Sequence, residues 1–206
     1  MYLELHPKDP QLRHLGTAVD VLRDGGVIIY PTDTIYGLGC SIFATDAIKR
    51  IYGIKQQEKT KPFSFICSDL SNISEYAKVS NAAFRFMKQL IPGPFTFVLP
   101  ASRLKQLPKS MISKRKTVGI RVPDNTICRE LVRLLGHPIL NASVEEMNGT
   151  VLNDPEDIKA QYRNEVDVIL ACGNGSLGHS TVIDLTGEQP EVLREGVGDI
   201  TMVMEA

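Results

Sequence analysis

Tyr30-Pro31-Thr32-Asp33-Thr34-Ile35-Tyr36-Gly37-Leu38-Gly39-Cys40-Ser41 follows the apolar run Gly26-Val27-Ile28-Ile29 and precedes a helix-like segment. This order reads as the carboxyl end of a strand opening into a polar, glycine-punctuated loop. Open α/β sheets place ligands beyond the carboxyl ends of their strands, where backbone N–H groups and helix N-termini converge. Thr32, Asp33, Thr34 and Tyr36, with two glycines, therefore stand where a site is readily built. Two readings are open at this level. Pro-Thr-Asp is also ordinary turn chemistry, and Gly-x-Gly alone is a weak signal.

Outward from this stretch, Val27 to Tyr30 is apolar on consecutive positions, as expected for a central strand covered on both faces. Before it, Asp9-Pro10 reads as an N-cap with proline at the first helical position, and Leu12, Leu15, Val19 and Leu22 recur at helical spacing until Gly25-Gly26. After it, Thr45 is expected to cap a helix from Asp46 to about Lys55, with Ala47, Ile48, Ile51 and Ile54 facing inward. That helix delivers Lys55 at its C-terminal end. Lys55 and Lys61 bracket a charged connection into a strand at Phe63–Cys67, where each lysine either faces a ligand or complements a helix dipole.

Ser71 and Ser80 read as caps of a short and a longer helix, the latter with Phe84, Phe86, Met87 and Ile91 as core. Pro92-Gly93-Pro94 breaks it and launches a strand at Phe95–Leu99. In the strand Thr117–Pro123, Arg121 alternates with apolar neighbours and needs an anionic partner, either a protein carboxylate or a ligand. Asn125 caps a helix that Gly136 stops. Pro138 to Ala142 is a short strand ending at Ser143, which is expected on the same rim as the opening loop. Asp154-Pro155 starts another helix, and Val166–Ala171, Ser180–Leu185 and Glu191–Arg194 are strands. Strands outnumber long helices, so the chain is read as α/β with a mixed parallel and antiparallel sheet.

A chain of 206 residues that is 43% hydrophobic suits one domain with a sizeable core, expected to run from about residue 12 to 200. No apolar run approaches membrane-spanning length and the N-terminus lacks a signal-peptide pattern. Cys40, Cys67, Cys128 and Cys172 are scattered with no Cys-x-x-Cys pair, which suggests neither a metal site nor a disulfide framework and fits a reducing, cytoplasmic setting. Oligomeric state leaves no mark in the pattern. The net charge of −1 hides an asymmetry: from Tyr76 to Pro123 there is no Asp or Glu, against ten Lys and Arg. Such a block suits polyphosphate or nucleic acid, although Lys114-Arg115-Lys116 alone reads more readily as a solvated loop.

The order of segments resembles the YrdC/YciO family, the threonylcarbamoyl-AMP synthase domain, with the YciO branch the nearer match. The pieces that carry the resemblance are Pro31 to Cys40, Ile54-Lys55 leading to Lys61-Pro62, Pro92-Gly93-Pro94-Phe95-Thr96, Gly119 to Pro123, Pro138 to Ser143, Ser180 to Asp184 and Arg194-Glu195-Gly196. They span nearly the whole chain in the family's order. The resemblance implies a twisted α/β sheet with a large, concave, electropositive cleft. It also implies a nucleotidyltransferase that makes threonylcarbamoyl-adenylate from L-threonine, bicarbonate and ATP, with Mg²⁺, for the N6-threonylcarbamoyl modification of tRNA adenosine 37. On that basis Lys55, Arg121 and Ser143 would be catalytic. Thr32, Thr34, Tyr36, Arg121 and Thr181 would hold the threonine, and Lys55, Lys61, Ser143, Ser180 and Arg194 would line the nucleotide side.

The chain departs from the synthase pattern at two places. Lys55-Gln56-Gln57 stands where synthases carry Lys-x-Arg, and Ser143-Val144-Glu145 where they carry Ser-x-Asn. Together these remove about two units of positive charge from a polyphosphate pocket, and at an effective dielectric near 20 a unit charge at 4 Å counts for roughly 4 kcal/mol. Two readings follow. One is an ATP-dependent synthase of altered or weak activity; the other is a non-synthase protein of the YciO type that binds tRNA, double-stranded RNA or a nucleotide through the basic region.

Overall fold

The computed structural model of the chain describes residues 1–57, 62–71, 73–102, 107–146 and 148–201. The strands are β1 (Tyr2–Glu4), β2 (Ile28–Tyr30), β3 (Gly37–Gly39), β4 (Ser64–Ile66), β5 (Phe95–Pro100), β6 (Thr117–Arg121), β7 (Ile139–Ser143), β8 (Val168–Ala171), β9 (Thr181–Asp184) and β10 (Glu191–Arg194). The helices are α1 (Leu12–Arg23), α2 (Thr45–Ile54), α3 (Ile73–Tyr76), α4 (Asn81–Leu90), α5 (Thr126–Leu135) and α6 (Pro155–Tyr162). The strands form one sheet in the order β1-β8-β2-β3-β7-β4-β6-β5-β9-β10. Four neighbouring pairs are parallel (β1/β8, β2/β8, β4/β6, β5/β9) and the other five antiparallel, so the sheet is mixed as its sequence patterning indicates.

Alternation along the strands builds a core on each face of the sheet. Ile28 and Tyr30, Ile66, Val168 and Leu170 join α1 and α5 on one face, where Leu15, Ala18, Val19, Leu22, Ile127, Leu131 and Leu135 close the layer. Val27 and Ile29, Phe65, Phe97, Ile120 and Ile169 point the other way and pack against α2, α4 and α6. Consecutive apolar residues in β2 and β8 are thus explained by two covered faces. Each fully buried Leu or Ile contributes about 1.5–3 kcal/mol relative to exposure, so the two layers together supply most of the drive to fold.

Local signals mark the N-termini of α4, α5 and α6 and the C-terminus of α5. Ser80 accepts from the Ala83 N–H at 3.1 Å, Asn125 from Cys128 at 3.1 Å and Asp154 from Glu156 at 2.8 Å. Gly136 ends α5 in the left-handed region at φ 86°.

Several expectations are corrected. Asp9 does not cap α1: the capping position is Gln11, which makes no side-chain capping bond there because its Oε1 accepts from the His6 N–H. Thr45 is the first residue of α2 rather than its cap. Phe84 is 44% exposed, and Ala83, Met87 and Leu90 form the buried stripe of α4 instead. The second half of the opening stretch is not loop but strand β3, a return hairpin paired Ile28↔Gly39 and Tyr30↔Gly37. Strand β1, absent from the sequence reading, adds parallel to β8.

Candidate functional site

The helical layer of α1 and α5 packs on β8 and β2 and, through Ile66 and Ile139, on one end of β4 and β7, but leaves the rest of this face of β7-β4-β6-β5-β9 open. On that open face the alternation changes character. Ser64 of β4, Thr96 and Val98 of β5, Thr117, Gly119 and Arg121 of β6, Asn141 and Ser143 of β7, and Val182 of β9 line a cavity of about 430 Å³. Their strand neighbours Phe65, Phe97, Val118, Ile120, Leu140 and Ile183 are core on the opposite face. Small and polar residues at every second position thus make a concave, wettable floor on an otherwise apolar sheet. The volume is within the range of small-molecule sites.

The opening stretch supports this floor from the side. The Tyr30 ring lies across β3, and its hydroxyl, at 3.0 Å from Asn141 Oδ1, reaches the residue in the cavity wall. A Cβ on Gly37 would meet Asn141 Oδ1 and the Tyr30 ring, each at 2.7 Å, and one on Gly39 would meet the Leu140 carbonyl and the same ring. The Gly-x-Gly pair is therefore required by close packing under a tyrosine, not by a phosphate contact.

Beyond β2 the chain turns so that Thr32 Oγ1 accepts from the Thr34 N–H at 2.9 Å and lies 3.1 Å from Thr34 Oγ1. This turn presents Asp33 and Thr34 to Arg121, whose Nη2 donates to Asp33 Oδ1 at 2.6 Å and Thr34 Oγ1 at 3.0 Å. Asp33 Oδ2 also accepts from the Asp124 N–H at 2.9 Å. The pair is deeply placed, with side chains 4% and 9% exposed. The anionic partner that Arg121 needs is thus a protein carboxylate. The guanidinium is still not saturated: its Nε is buried with no hydrogen-bond partner among the described residues.

Across the cavity, Arg194 donates from Nη2 to the Ser180 carbonyl at 2.9 Å, and Ser180 Oγ lies 2.8 Å from Thr96 Oγ1. A bulge between Val192 and Arg194 sets Arg194 opposite the cavity-lining Val182. Burial, and then the positive charge of Arg121, lowers the Arg194 pKa from its ordinary value, against the pull of Glu145. Two guanidiniums that feel each other in a partly desolvated cleft form an anion site.

At the third side, Lys55 caps the end of α2 and its Nζ donates to Glu145 Oε2 at 2.9 Å, with side chains 11% and 19% exposed. His179 Nε2 is 3.6 Å from Glu145 Oε1. Burial, with Arg194 and Lys55, lowers the His179 pKa despite Glu145, a shift that favours the uncharged imidazole.

The cavity brings together six of the residues singled out from the sequence: Thr34, Lys55, Arg121, Ser143, Ser180 and Arg194. Three others do not line it. Thr32 is buried behind Thr34. Tyr36 is core, its hydroxyl donating to the Gly173 carbonyl at 2.7 Å, and burial raises its pKa to about 12. Thr181 points away and donates to the Gly198 carbonyl at 2.8 Å, as the alternation after Ser180 requires. Lys61 lies outside the described residues. Missed by the sequence reading were Thr96, Asn141, His179 and Ser113, each in the wall. For Thr96, Thr117 and Asn141 the available signal was the polar, period-two face shared by several strands.

Among the described residues no group of three or more His, Cys, Asp or Glu could hold a metal ion. Asp33 is bonded to Arg121, and the cleft carboxylate Glu145 to Lys55. The described residues do not make a protein-built Mg²⁺ site. No helix among the described residues is long and apolar enough to cross a membrane.

The mixed sheet with one half-open face defines an α/β protein with a cleft lined by cationic and hydroxyl side chains. The family model described as "Telomere recombination", which covers Sua5, YciO and YrdC proteins, matches residues 20–196, and the chain belongs to this family. It is 43% identical to the uncharacterized protein YciO of Escherichia coli over 97% of each chain. The crystal structure of E. coli YciO superposes with a TM-score of 0.93 over 98% of both chains. The threonylcarbamoyl-AMP synthase of Coxiella burnetii is 30% identical over 87% of this chain and 97% of its own. The structure of P. abyssi Sua5 complexed with L-threonine matches at 26% identity and a TM-score of 0.88, covering 95% of this chain and 57% of that one.

Proposed function

We propose that the cleft binds L-threonine and an adenine nucleotide, and that the protein is a threonylcarbamoyladenylate synthase-like nucleotidyltransferase serving tRNA adenosine 37. The observation that carries this reading is the Arg121 guanidinium. It lines the cavity, is held in orientation by Asp33 and Thr34, and retains a buried, unpartnered Nε. An unmade bond on a buried donor costs about 1–3 kcal/mol, which an amino-acid carboxylate bound there would offset. Two relatives support the same reading: a C. burnetii synthase by name, and a Sua5 protein whose structure contains L-threonine.

The chemistry requires positioning and charge rather than a protein nucleophile. The threonine amine and bicarbonate form a carbamate with loss of water. A carbamate oxygen then attacks the α-phosphorus of ATP, and the bond to the β-phosphate breaks with release of pyrophosphate. Arg121 and Thr34 would hold the amino acid, while Ser143, Ser180 and Arg194 would face the nucleotide phosphate, with Lys55 beside them. The cleft must also exclude water from the labile carbamate. Mg²⁺ is proposed to enter as the counter-ion of the triphosphate, and no step above depends on a protein-held ion.

A second reading, a non-synthase binder of tRNA or double-stranded RNA, is favoured by the exposed turn Lys114-Arg115-Lys116. It is flanked by Ser113 and Thr117, both in the cavity wall, which puts a basic rim beside the cleft.

The synthase reading is tested by incubating the purified protein with ATP, L-threonine and bicarbonate and following pyrophosphate and the adenylate. Product above a Lys55→Ala control is expected, and its absence sinks this reading. Calorimetry with L-threonine alone tests the amino-acid side, where Thr34→Val is expected to weaken binding about tenfold, the cost of one lost hydrogen bond to a charged group.

A further inference from the structure

Resting on the proposal that this cleft takes an adenine nucleotide, we infer that Glu145 sets the nucleotide preference: the site holds a nucleotide carrying a single phosphate, such as the adenylate product, more tightly than a nucleoside triphosphate, so that ATP is a weakly held substrate. Three observations carry this.

The first is a preformed internal ion pair. Glu145 occupies Lys55 at 2.9 Å in a poorly solvated position. Neither partner is on a loose segment. The Lys55 N–H closes the last turn of α2 on the Ile51 carbonyl at 2.9 Å. The Glu145 carbonyl accepts from the Tyr162 hydroxyl at 2.6 Å, and its backbone bridges to Val151. A phosphate that reached Lys55 would lie against a fixed carboxylate or have to displace it.

The second is charge balance. Among the described residues the charged side chains in the cavity wall are Lys55, Arg121, Arg194 and Glu145, with Asp33 directly on Arg121. Of the three cations, Lys55 and Arg121 are already matched by carboxylates. Arg194, whose side chain among the described residues bonds only to Ser180, remains for a phosphate, and the spare Arg121 Nε serves a carboxylate or a second oxygen.

The third is what lies past the ion pair. Lys55, Gln57 and Glu145 also border an adjoining cavity of about 630 Å³, whose wall includes Glu146 and Glu165. Among its described lining residues Lys55 is the one cation. A chain of β- and γ-phosphates extended past Lys55 would enter an acidic compartment, where each added charge is repelled rather than neutralised. The position that carries Asn in synthases therefore acts here as a length filter on the phosphate chain.

The experiment is calorimetric titration of the full chain with AMP and with ATP, each with and without L-threonine, for the wild type, Glu145→Gln and Glu146→Gln. The wild type is expected to bind AMP about tenfold or more tightly than ATP. Glu145→Gln should shift the AMP-to-ATP affinity ratio toward ATP by at least about tenfold while leaving L-threonine binding unchanged. Glu146→Gln, which removes a carboxylate of the adjoining compartment that does not touch Lys55, should shift the ratio in the same direction by a smaller factor than Glu145→Gln. Circular dichroism verifies folding, and should Glu145→Gln fail to fold, Glu145→Asn replaces it. Wild-type preference for ATP, or a ratio unmoved by Glu145→Gln, overturns the length filter while leaving the parent reading standing. Failure of the wild type to bind either nucleotide or L-threonine overturns both.

Discussion

Asp33 and Arg121 form the most deeply placed ion pair in the site, and their energetics are asymmetric. Two buried charges in good geometry roughly offset their desolvation, but one left alone does not. Asp33→Ala is therefore expected to destabilise the protein by about 3–5 kcal/mol in urea unfolding, because Arg121 would remain buried without its carboxylate. An unchanged midpoint would show that water reaches the guanidinium freely. Of the neighbouring residues, Arg121 was legible as an arginine in need of an anion. That Asp33 is the anion was not, since 88 residues separate them and their contact depends on the turn after β2. Tyr36 and Thr181 show the converse. Their hydroxyls read as site chemistry in sequence, yet both serve backbone carbonyls on the far side.

At the scale of the element, capping separates signals that work from signals that only look right. Asn125 is in position and bonds the Cys128 N–H, whereas Asp9 lies before the start of α1, whose capping position is Gln11. Asn125→Ala should cost about 1 kcal/mol of stability, the usual value of a lost N-cap, while Asp9→Ala should cost close to nothing. Equal effects in chemical denaturation would contradict this assignment. The strands were legible where apolar residues run consecutively, as in β2 and β8. The β3 hairpin was not, because Gly37 and Gly39 look like loop residues until the Tyr30 ring that crosses them is seen.

Over the whole molecule, the uneven charge acquires a location. Lys78, Arg85, Lys88, Lys109, Lys114, Arg115 and Lys116 are exposed, and Arg115 is bonded to Asp184 at 3.2 Å. Lys114 and Lys116 therefore carry the proposed nucleic-acid contact more than Arg115 does. Charge reversal of both is expected to weaken duplex RNA binding by about tenfold or more at low salt. It should also flatten the dependence of log affinity on log salt by roughly one unit per lost phosphate contact. A wild-type affinity indifferent to salt would remove the RNA reading.

Taken alone, the sequence determined the class of fold, the order of nearly all elements and both capped ends of α5, and it singled out Lys55, Arg121, Ser143, Ser180 and Arg194, which line the cavity. These are readable because periodicity, capping and turn chemistry act over a few residues. Tertiary structure alone decided which of those groups share a cleft and what already occupies them. Alternation sends Ser180 to the cavity and Thr181 away from it, and the turn after β2 gives Arg121 to Asp33. The return of β7 sets Glu145 against Lys55, so a pairing 90 residues apart determines how much positive charge the cleft offers a ligand. Charge balance in a cleft is a sum over distant segments, and no local pattern carries it.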